Sequence, residues 1–299
     1  MAKPVIAAVT DNLEGEVARA VAGEREALES VVRAVQKDIY RLAIRFLWHP
    51  QDAEDATQEI LIRVITGLGS FRGDSGFRTW VYRVASNALL TLRKQRMEQQ
   101  SLSFEKFDED LAQGMSDADS RVGGDLSQAL LLEEVKVGCT LGMLQCLDRD
   151  HRLAYILGEI MELEHTEAAG ALDIKPAAFR KRLSRARASI FSFLQSHCGL
   201  THPSNACRCS KRVGTAIALG RVNPSHLLFA SSQQQAKRFP QVLAGIRLLE
   251  ESRRAAALYQ SHPEVRASGS FVAWLKQVIN DMPEQLVGGS SMPGEKLDS

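Results

Sequence analysis

Apolar residues recur at helical spacing along most of the chain. Leu28, Val31, Val32, Val35, Ile39, Leu42, Ala43, Phe46 and Leu47 fall on one face of a long helix. His49-Pro50 ends it, because proline disfavours the helical conformation of its predecessor. A second helix is expected with Asp52 as N-cap and Asp55 three residues on, close to a capping box. It carries Ala56, Ile60, Leu61, Val64 and Leu68 inward and ends near Gly67-Leu68-Gly69. In a third, Phe77, Trp80, Val81, Val84, Ala85, Ala88, Leu89 and Leu92 form the buried stripe. Ahead of it, Gly73 and Gly76 bracket Asp74 and Ser75, which read as a turn and an N-cap.

Between Gln99 and Asp125 the character changes. Glu105, Asp108, Glu109, Asp110, Asp117, Asp119 and Asp125 face only Lys106 and Arg121 as cations, with Gly114, Gly123 and Gly124 among them. That composition reads as a flexible acidic linker. Helical patterning resumes at Leu126 through Leu130, Leu131, Val135, Leu141, Leu144 and Leu147. Asp148-Arg149-Asp150 then signals the start of a helix carrying Leu153, Ile156, Leu157 and Ile160.

Next, Thr166 is expected to cap a short helix of small residues, in which Gly170 allows close packing. Leu172-Asp173-Ile174 makes a turn, and Pro176 takes the first position of the following helix. There Phe179, Leu183 and Ala186 face inward, while Arg180, Lys181, Arg182, Arg185 and Arg187 point out. A short helix, a tight turn and a basic helix follow the helix-turn-helix plan, whose second helix enters the DNA major groove. The plainer alternative is a helical hairpin with a solvated basic surface.

Two other faces carry candidate chemistry. The polar side of the third helix holds Arg78, Thr79, Tyr82, Arg83, Ser86, Asn87, Arg93 and Lys94, with no acid from Arg78 through Met97. Cations beside rings suit a single strand, whose phosphates they track and whose bases they stack at about 1–3 kcal/mol each. A core aromatic cluster with a solvated basic rim explains the same residues. The second helix exposes Asp52, Glu54, Asp55, Gln58 and Glu59, with no cation before Arg63. Acids in a first turn favour the helix dipole without any partner; the functional alternative is a docking face for a basic or polar surface.

Beyond Leu194, three sulfurs and two imidazoles crowd one span. Cys198, Cys207 and Cys209 with His202 or His197 could supply a tetrahedral zinc site, although a C-x-C spacing is less diagnostic than paired C-x-x-C. Arg208, Lys211 and Arg212 nearby would lower thiol pKa values, which suits a redox-reactive cysteine. Reduced thiols with no role are the third reading. Downstream, Val213, Ile217 and Leu219, then Val242, Ile246, Leu249 and Leu258, then Phe271, Trp274, Leu275, Val278 and Ile279 suggest further helices. The tail from Met282 is Gly/Ser/Pro-rich and expected to be disordered.

Composition narrows the class. The 299 residues are 44% hydrophobic and 24% charged, ordinary globular values, and the net charge of +1 hides its segregation along the chain. No basic region followed by an apolar run opens the chain, and no apolar stretch approaches a membrane span, so a cytoplasmic protein is expected. The five cysteines do not make an evenly spaced disulfide framework.

Two parts of the chain resemble bacterial sigma-70 family RNA polymerase sigma factors of the extracytoplasmic-function (ECF) group. Residues from about Val31 to Arg96 look like sigma region 2, and those from about Leu141 to Leu194 like region 4. Asp52-Ala53-Glu54-Asp55-Ala56-Thr57-Gln58-Glu59 is similar to the family's polymerase-clamp-binding segment. The run from Phe71 to Arg83 resembles its segment for melting and recognising the −10 element.

The resemblance implies an all-α protein with a region 2 unit (16–98), the acidic linker (99–125), a region 4 helix-turn-helix unit (126–196), a Cys/His-containing extension (197–281) and a tail (282–299). It implies binding to core RNA polymerase through Asp52, Glu54, Asp55, Gln58 and Glu59. The −10 contacts would be Phe71, Arg72, Asp74, Ser75, Phe77, Arg78, Tyr82, Arg83 and Asn87. The −35 contacts would be Lys175, Ala177, Ala178, Arg180, Lys181, Arg182 and Arg185.

Promoter DNA and core polymerase are then the partners, with an anti-sigma factor as a further candidate. No enzymatic activity and no required cofactor are expected, apart from a candidate structural or sensory zinc at Cys198, His202, Cys207 and Cys209. Phe179 stands where an apolar or threonine residue is common, with different packing expected there, and the stretch after Leu194 extends beyond the minimal form. By analogy such an extension regulates its sigma factor. The rival reading is a helix-turn-helix regulator acting without core polymerase, with a metal- or redox-sensing C-terminal module. A catalytic zinc hydrolase is disfavoured, since no general base lies close to the cysteines in sequence.

Overall fold

The computed structural model describes residues 7–92, 102–114 and 125–265, together with 267, 271, 273–274 and 277–278. Among these the chain forms twelve α-helices, and its only β-type pairings are two isolated bridges. The first bundle holds α1 (Ala7–Val21), α2 (Arg25–Leu47), α3 (Pro50–Gly67) and α4 (Phe77–Thr91). Every residue of the expected α2 stripe, from Leu28 to Leu47, is buried. Trp48 closes α2 in a left-handed conformation (φ 70°) and donates its N–H to the Ile44 carbonyl at 2.9 Å.

Two helix starts in this bundle differ from expectation. α3 begins at Pro50 with His49 in the N-cap position, so Asp52 lies inside the first turn and makes no cap. Proline costs nothing there, because the N–H it lacks would have had no partner. α4 begins at Phe77 with Gly76 as N-cap, which displaces Asp74 and Ser75 into the preceding loop. Gly73 turns that loop at φ 75°, a conformation that a side chain strains.

The acidic segment is not uniformly flexible, because α5 (Phe104–Gln113) forms within it. The Ser103 hydroxyl caps it by accepting the Lys106 N–H at 3.3 Å. Phe104, Phe107 and Leu111 share one face of α5, and both rings pack on Phe193, at 5.3 and 5.6 Å between centroids. The acids that suggested a linker have partners within the fold instead: Asp108 meets the His197 ring at 3.0 Å, and Asp110 meets Arg212 at 3.0 Å and Arg221 at 2.7 Å. Asp117, Asp119, Arg121, Gly123 and Gly124 lie outside the described residues.

The second half comprises α6 (Asp125–Gln145), α7 (Arg149–Tyr155), a π turn (Ile156–Ile160), α8 (His165–Ala171) and α9 (Pro176–His197). Asp148 caps α7 as expected, accepting the His151 N–H at 2.9 Å. Thr166 does not cap α8: Glu164 occupies that position without a side-chain bond. Pro176 opens α9, with Phe179, Leu183 and Ala186 fully buried. Gly158 makes room for the phenylalanine; a Cβ there would lie 3.1 Å from the Phe179 ring and 2.8 Å from Leu183.

The extension adds α10 (Cys209–Ala218), α11 (Gln233–Leu248) and α12 (Glu251–Gln260). Polar anchors fasten it. The Glu134 carboxylate accepts the N–H groups of Leu228, Phe229 and Ala230 at 2.7–2.8 Å. The Lys136 ammonium, paired with Glu133 at 2.6 Å, sits 3.6 Å from the centre of the Phe239 ring. Tyr259 donates its hydroxyl to the Thr140 carbonyl at 2.9 Å, and Glu264 meets Lys37 of α2 at 2.6 Å. Val213, Ile246, Leu258 and Phe271 are buried, whereas Leu219 and Val242 are exposed. Leu275, Ile279 and the tail from Met282 lie outside the described residues.

One continuous apolar cluster runs from Leu13 of α1 to Phe271, taking in α2, α4, α7, α9 and α12. Two arginines of α7 hold its halves together. Arg149 donates to the carbonyls of Leu90 and Leu92 at the end of α4, both at 2.8 Å. Arg152, buried, donates to Phe46 at the end of α2 at 2.9 Å, and to Leu144 and Leu147 at 2.9 and 3.0 Å. Removing one partner of such a network leaves buried carbonyls unsatisfied. Arg152→Ala is therefore expected to lower stability to urea by about 3 kcal/mol or more; a loss below about 1 kcal/mol would show that the network contributes little.

Candidate nucleic-acid interface

The α8–turn–α9 unit is a helix-turn-helix with its basic helix outward. Lys175, Ala177, Ala178, Arg180, Lys181 and Arg185 are all exposed along one side of α9. Pro176 starts the helix and Asp173 (φ 52°) tightens the turn before it, so these residues open directly from the turn. Arg182 differs, being half-buried and paired with Asp150 at 3.0 Å. Arg187 is bound to Glu159 through its Nε at 2.7 Å. Two of the expected outward cations are thus already occupied within the fold.

The Phe71–Asn87 segment divides between surface and core. Arg72, Asp74 and Asn87 are exposed, and Ser75 is half-buried in the loop. Phe71, Phe77 and Trp80 form one aromatic cluster with centroids 5.4–5.6 Å apart, and Phe77 is 2% exposed. These rings support the loop from below. Arg78 is paired with Asp38 of α2.

The outer face of α4 is less open than its polarity suggested. Thr79, Tyr82 and Ser86 are buried, because α8 packs across that side. The Thr79 hydroxyl donates to Glu167 at 3.2 Å, and Arg83 Nε donates to the Gly170 carbonyl at 2.9 Å. Burial raises the Tyr82 phenol well above its ordinary value, with Asp38 adding to the effect. Small residues of α8, namely Ala168, Ala169, Gly170 and Ala171, permit this approach. That run was legible as a packing surface, but its partner helix was not. Arg93, Lys94 and Met97 lie outside the described residues.

On α3, Asp55 is exposed and Asp52, Glu54, Gln58 and Glu59 are partly exposed along one side. Arg63 pairs with Glu59 one turn on, at 2.5 Å. Ile62, 41% exposed, adds an apolar contact beside the acids.

Among the described residues no three His, Cys, Asp or Glu side chains are grouped as metal ligands, although Cys198 and Cys207 lie near enough to Cys209 to act on it electrostatically. His202 turns away, with Nδ1 on the Ser204 hydroxyl at 2.8 Å and Nε2 3.7 Å from Glu251. Burial raises the Cys209 and Cys207 thiols, an effect that the neighbouring cations only oppose. The lowering anticipated from Arg208 and Arg212 is outweighed by desolvation.

With this geometry in place, kinship becomes informative. Residues 31–98 match the sigma-70 region 2 family model. The chain is 32% identical over 185 residues to the RNA polymerase sigma-H factor of Pseudomonas aeruginosa, covering 60% of this chain and 92% of that one. It is 29% identical over 190 residues to the ECF RNA polymerase sigma-E factor of Escherichia coli K12, with the same 60% and 92% coverage. Among solved structures, CnrH in complex with the cytosolic domain of CnrY is similar at 24% identity and a TM-score of 0.42, over 60% of this chain and 95% of that one.

A helix-turn-helix with a basic outer helix is the build of a DNA-binding protein. More narrowly, the chain belongs to the sigma-70 family of RNA polymerase sigma factors, in its ECF group. It is a sigma factor of transcription initiation, with core RNA polymerase and promoter DNA as partners. No finding favours a regulator that works without polymerase. Among the described residues no helix is long and apolar enough to cross a membrane.

Proposed function

We propose that the three exposed faces divide the work of initiation. Asp52, Glu54, Asp55, Gln58 and Glu59 on α3 dock on a basic or polar surface of core polymerase, with Ile62 as an apolar neighbour. The loop of Arg72, Asp74 and Ser75, with Asn87, takes hold of the −10 element, while Phe71, Phe77 and Trp80 brace it. Lys175, Ala177, Ala178, Arg180, Lys181 and Arg185 meet the −35 major groove. The single observation that carries this reading is the exposed, acid-free opening of α9 on a helix-turn-helix, in a chain of sigma-70 ancestry.

The functional units are residues 16–98 and 126–196, and the segment between them, α5 included, spans the promoter spacer. The protein does no chemistry of its own and needs no cofactor; nucleotide addition belongs to the polymerase. It works in the cytoplasm. In the described arrangement α8 covers Thr79 and Tyr82, so full use of the −10 face requires α8 to leave α4. Tyr82 and Arg83 become DNA contacts only in that open form. Extruding a base costs a few kcal/mol, and the freed phenol and guanidinium help to offset it.

Three measurements test this. Asp55→Arg with Glu59→Arg should weaken core binding about tenfold or more without weakening non-specific DNA binding by the full chain, which added positive charge can only favour; unaltered core affinity would remove the docking face. Arg180→Ala or Arg185→Ala should cut initiation about ten- to a hundredfold at promoters whose −35 guanine it reads, and an equal effect across all −35 variants would reduce the residue to a backbone contact. Thr79→Cys with Glu167→Cys places a cross-link over the α4–α8 contact. Single-round transcripts should disappear when it is oxidised and return on reduction, with the unsubstituted chain as control. Full activity of the locked form would refute the opening step.

A further inference from the structure

The loop between α9 and α10 sets two cysteines across from each other. Cys198 leaves the end of α9 in an extended conformation (φ −87°, ψ 115°), its N–H still donated to the Leu194 carbonyl at 2.9 Å. Cys207, just ahead of α10, pairs with it in an isolated parallel bridge. Paired strands lie about 4.8 Å apart, within the roughly 4.4–6.8 Å Cα separation that a disulfide spans.

That register is set without either sulfur. Asn205 Nδ2 donates to the Gln195 carbonyl at 2.8 Å, and the Thr201 hydroxyl to those of Leu194 and Cys198, both at 3.3 Å. Arg208 donates to Pro203 and Cys207 at 2.8 Å, and to Asn205. From outside the loop, Arg247 holds the Gly199 and Leu200 carbonyls at 3.1 and 3.2 Å, and Arg254 holds Thr201 at 3.1 Å. Gly199 is required by the approach itself, since a Cβ there would collide with the Cys207 carbonyl. The chain has therefore already lost the conformational freedom that closing a disulfide would otherwise cost.

Both residues remain partly exposed. Cys139 and Cys209 are near enough to feel the pair electrostatically, but burial pushes their own thiols up. Burial also raises the Cys207 thiol, followed by the effect of Cys198, with Arg212 and Arg208 opposing.

We propose that Cys198 and Cys207 form a reversible dithiol–disulfide site that is oxidised by exchange with a low-molecular-weight disulfide. Cys198, giving up its proton, attacks one sulfur of that disulfide; a mixed disulfide forms and one small thiolate leaves and takes the proton. Cys207 then loses its proton and displaces the second small thiol, which is protonated in turn. Two protein S–H bonds and one small S–S bond become one protein S–S bond and two small thiols. Two electrons pass to the small disulfide. The bond ties the end of the promoter-facing helix to the lead-in of α10, near Arg212 and Arg221, which grip Asp110 of α5. The inference stands on loop geometry and is independent of the promoter-reading proposal.

The test equilibrates the full chain in glutathione and glutathione disulfide mixtures, quenches it with an alkylating reagent, counts thiols and maps linked peptides. Native protein should fall from five free thiols to three, a loss of two, with one Cys198–Cys207 link that reduced glutathione reverses. Cys198→Ser and Cys207→Ser should each abolish the link, and Cys209→Ser should retain it. Five thiols persisting in the most oxidising mixture would overturn the proposal. So would a dominant link to Cys139 or Cys209, or one between two chains. Should a serine variant fold poorly, the map of the unsubstituted chain decides alone.

Discussion

Much of this structure depends on how helix ends are completed. The last four carbonyls of an α-helix have no partner within it; α2 ends in the buried Phe46 and Leu47, and α4 ends beside the partly buried Leu90 and Leu92. α7 supplies the missing donors. Arg149 reaches the end of α4, and Arg152 reaches the end of α2 together with the last residues of α6 and the turn after it. The Phe46 ring lies beside both guanidiniums, at 5.6 and 5.0 Å. A buried guanidinium without such partners is costly, so α7 has few alternative positions. The π turn, α8 and α9 follow directly from α7, and the direction in which the basic helix points is inherited from these bonds.

That geometry has a consequence for function. Drawing α7 against the first bundle also draws α8 over α4, where Thr79, Arg83 and Tyr82 become structural contacts. The extension works in the same sense. Glu264 reaches back to Lys37 on α2, and Tyr259 and His262 meet Thr140 on α6. α5 is gripped through Asp110 by Arg212 and Arg221. Polar contacts spread over the chain thus add to the continuous apolar cluster in holding this arrangement.

Aromatic residues illustrate how one composition serves two purposes. Phe71, Phe77 and Trp80 stand in a segment whose cations and rings suggested base stacking, yet they pack on one another. Their area favours mutual burial when no strand is present. What stays at the surface is polar: Arg72, Asp74 and Asn87. The rings pack together beside the loop, and its polar groups are left at the surface.

Local chemistry was readable in the sequence wherever the decisive contact lay a few residues away. The α2 and α9 stripes, the Asp148 cap and Pro176 at a helix start all follow from periodicity and backbone rules that act over one or two turns. The exposed basic residues of α9 were legible for the same reason. Contacts between distant segments left no comparable mark. Acidic crowding around Asp108 and Asp110 resembled a linker because their partners, His197, Arg212 and Arg221, lie about a hundred residues onward. The burial of Tyr82 depended on which helix the small face of α8 would choose. Cys198 and Cys207 read as metal ligands by spacing, while the bridge that opposes them arises from Asn205, Arg208, Arg247 and Arg254. Periodicity records which side of a helix is buried; only the packed chain decides what it is buried against.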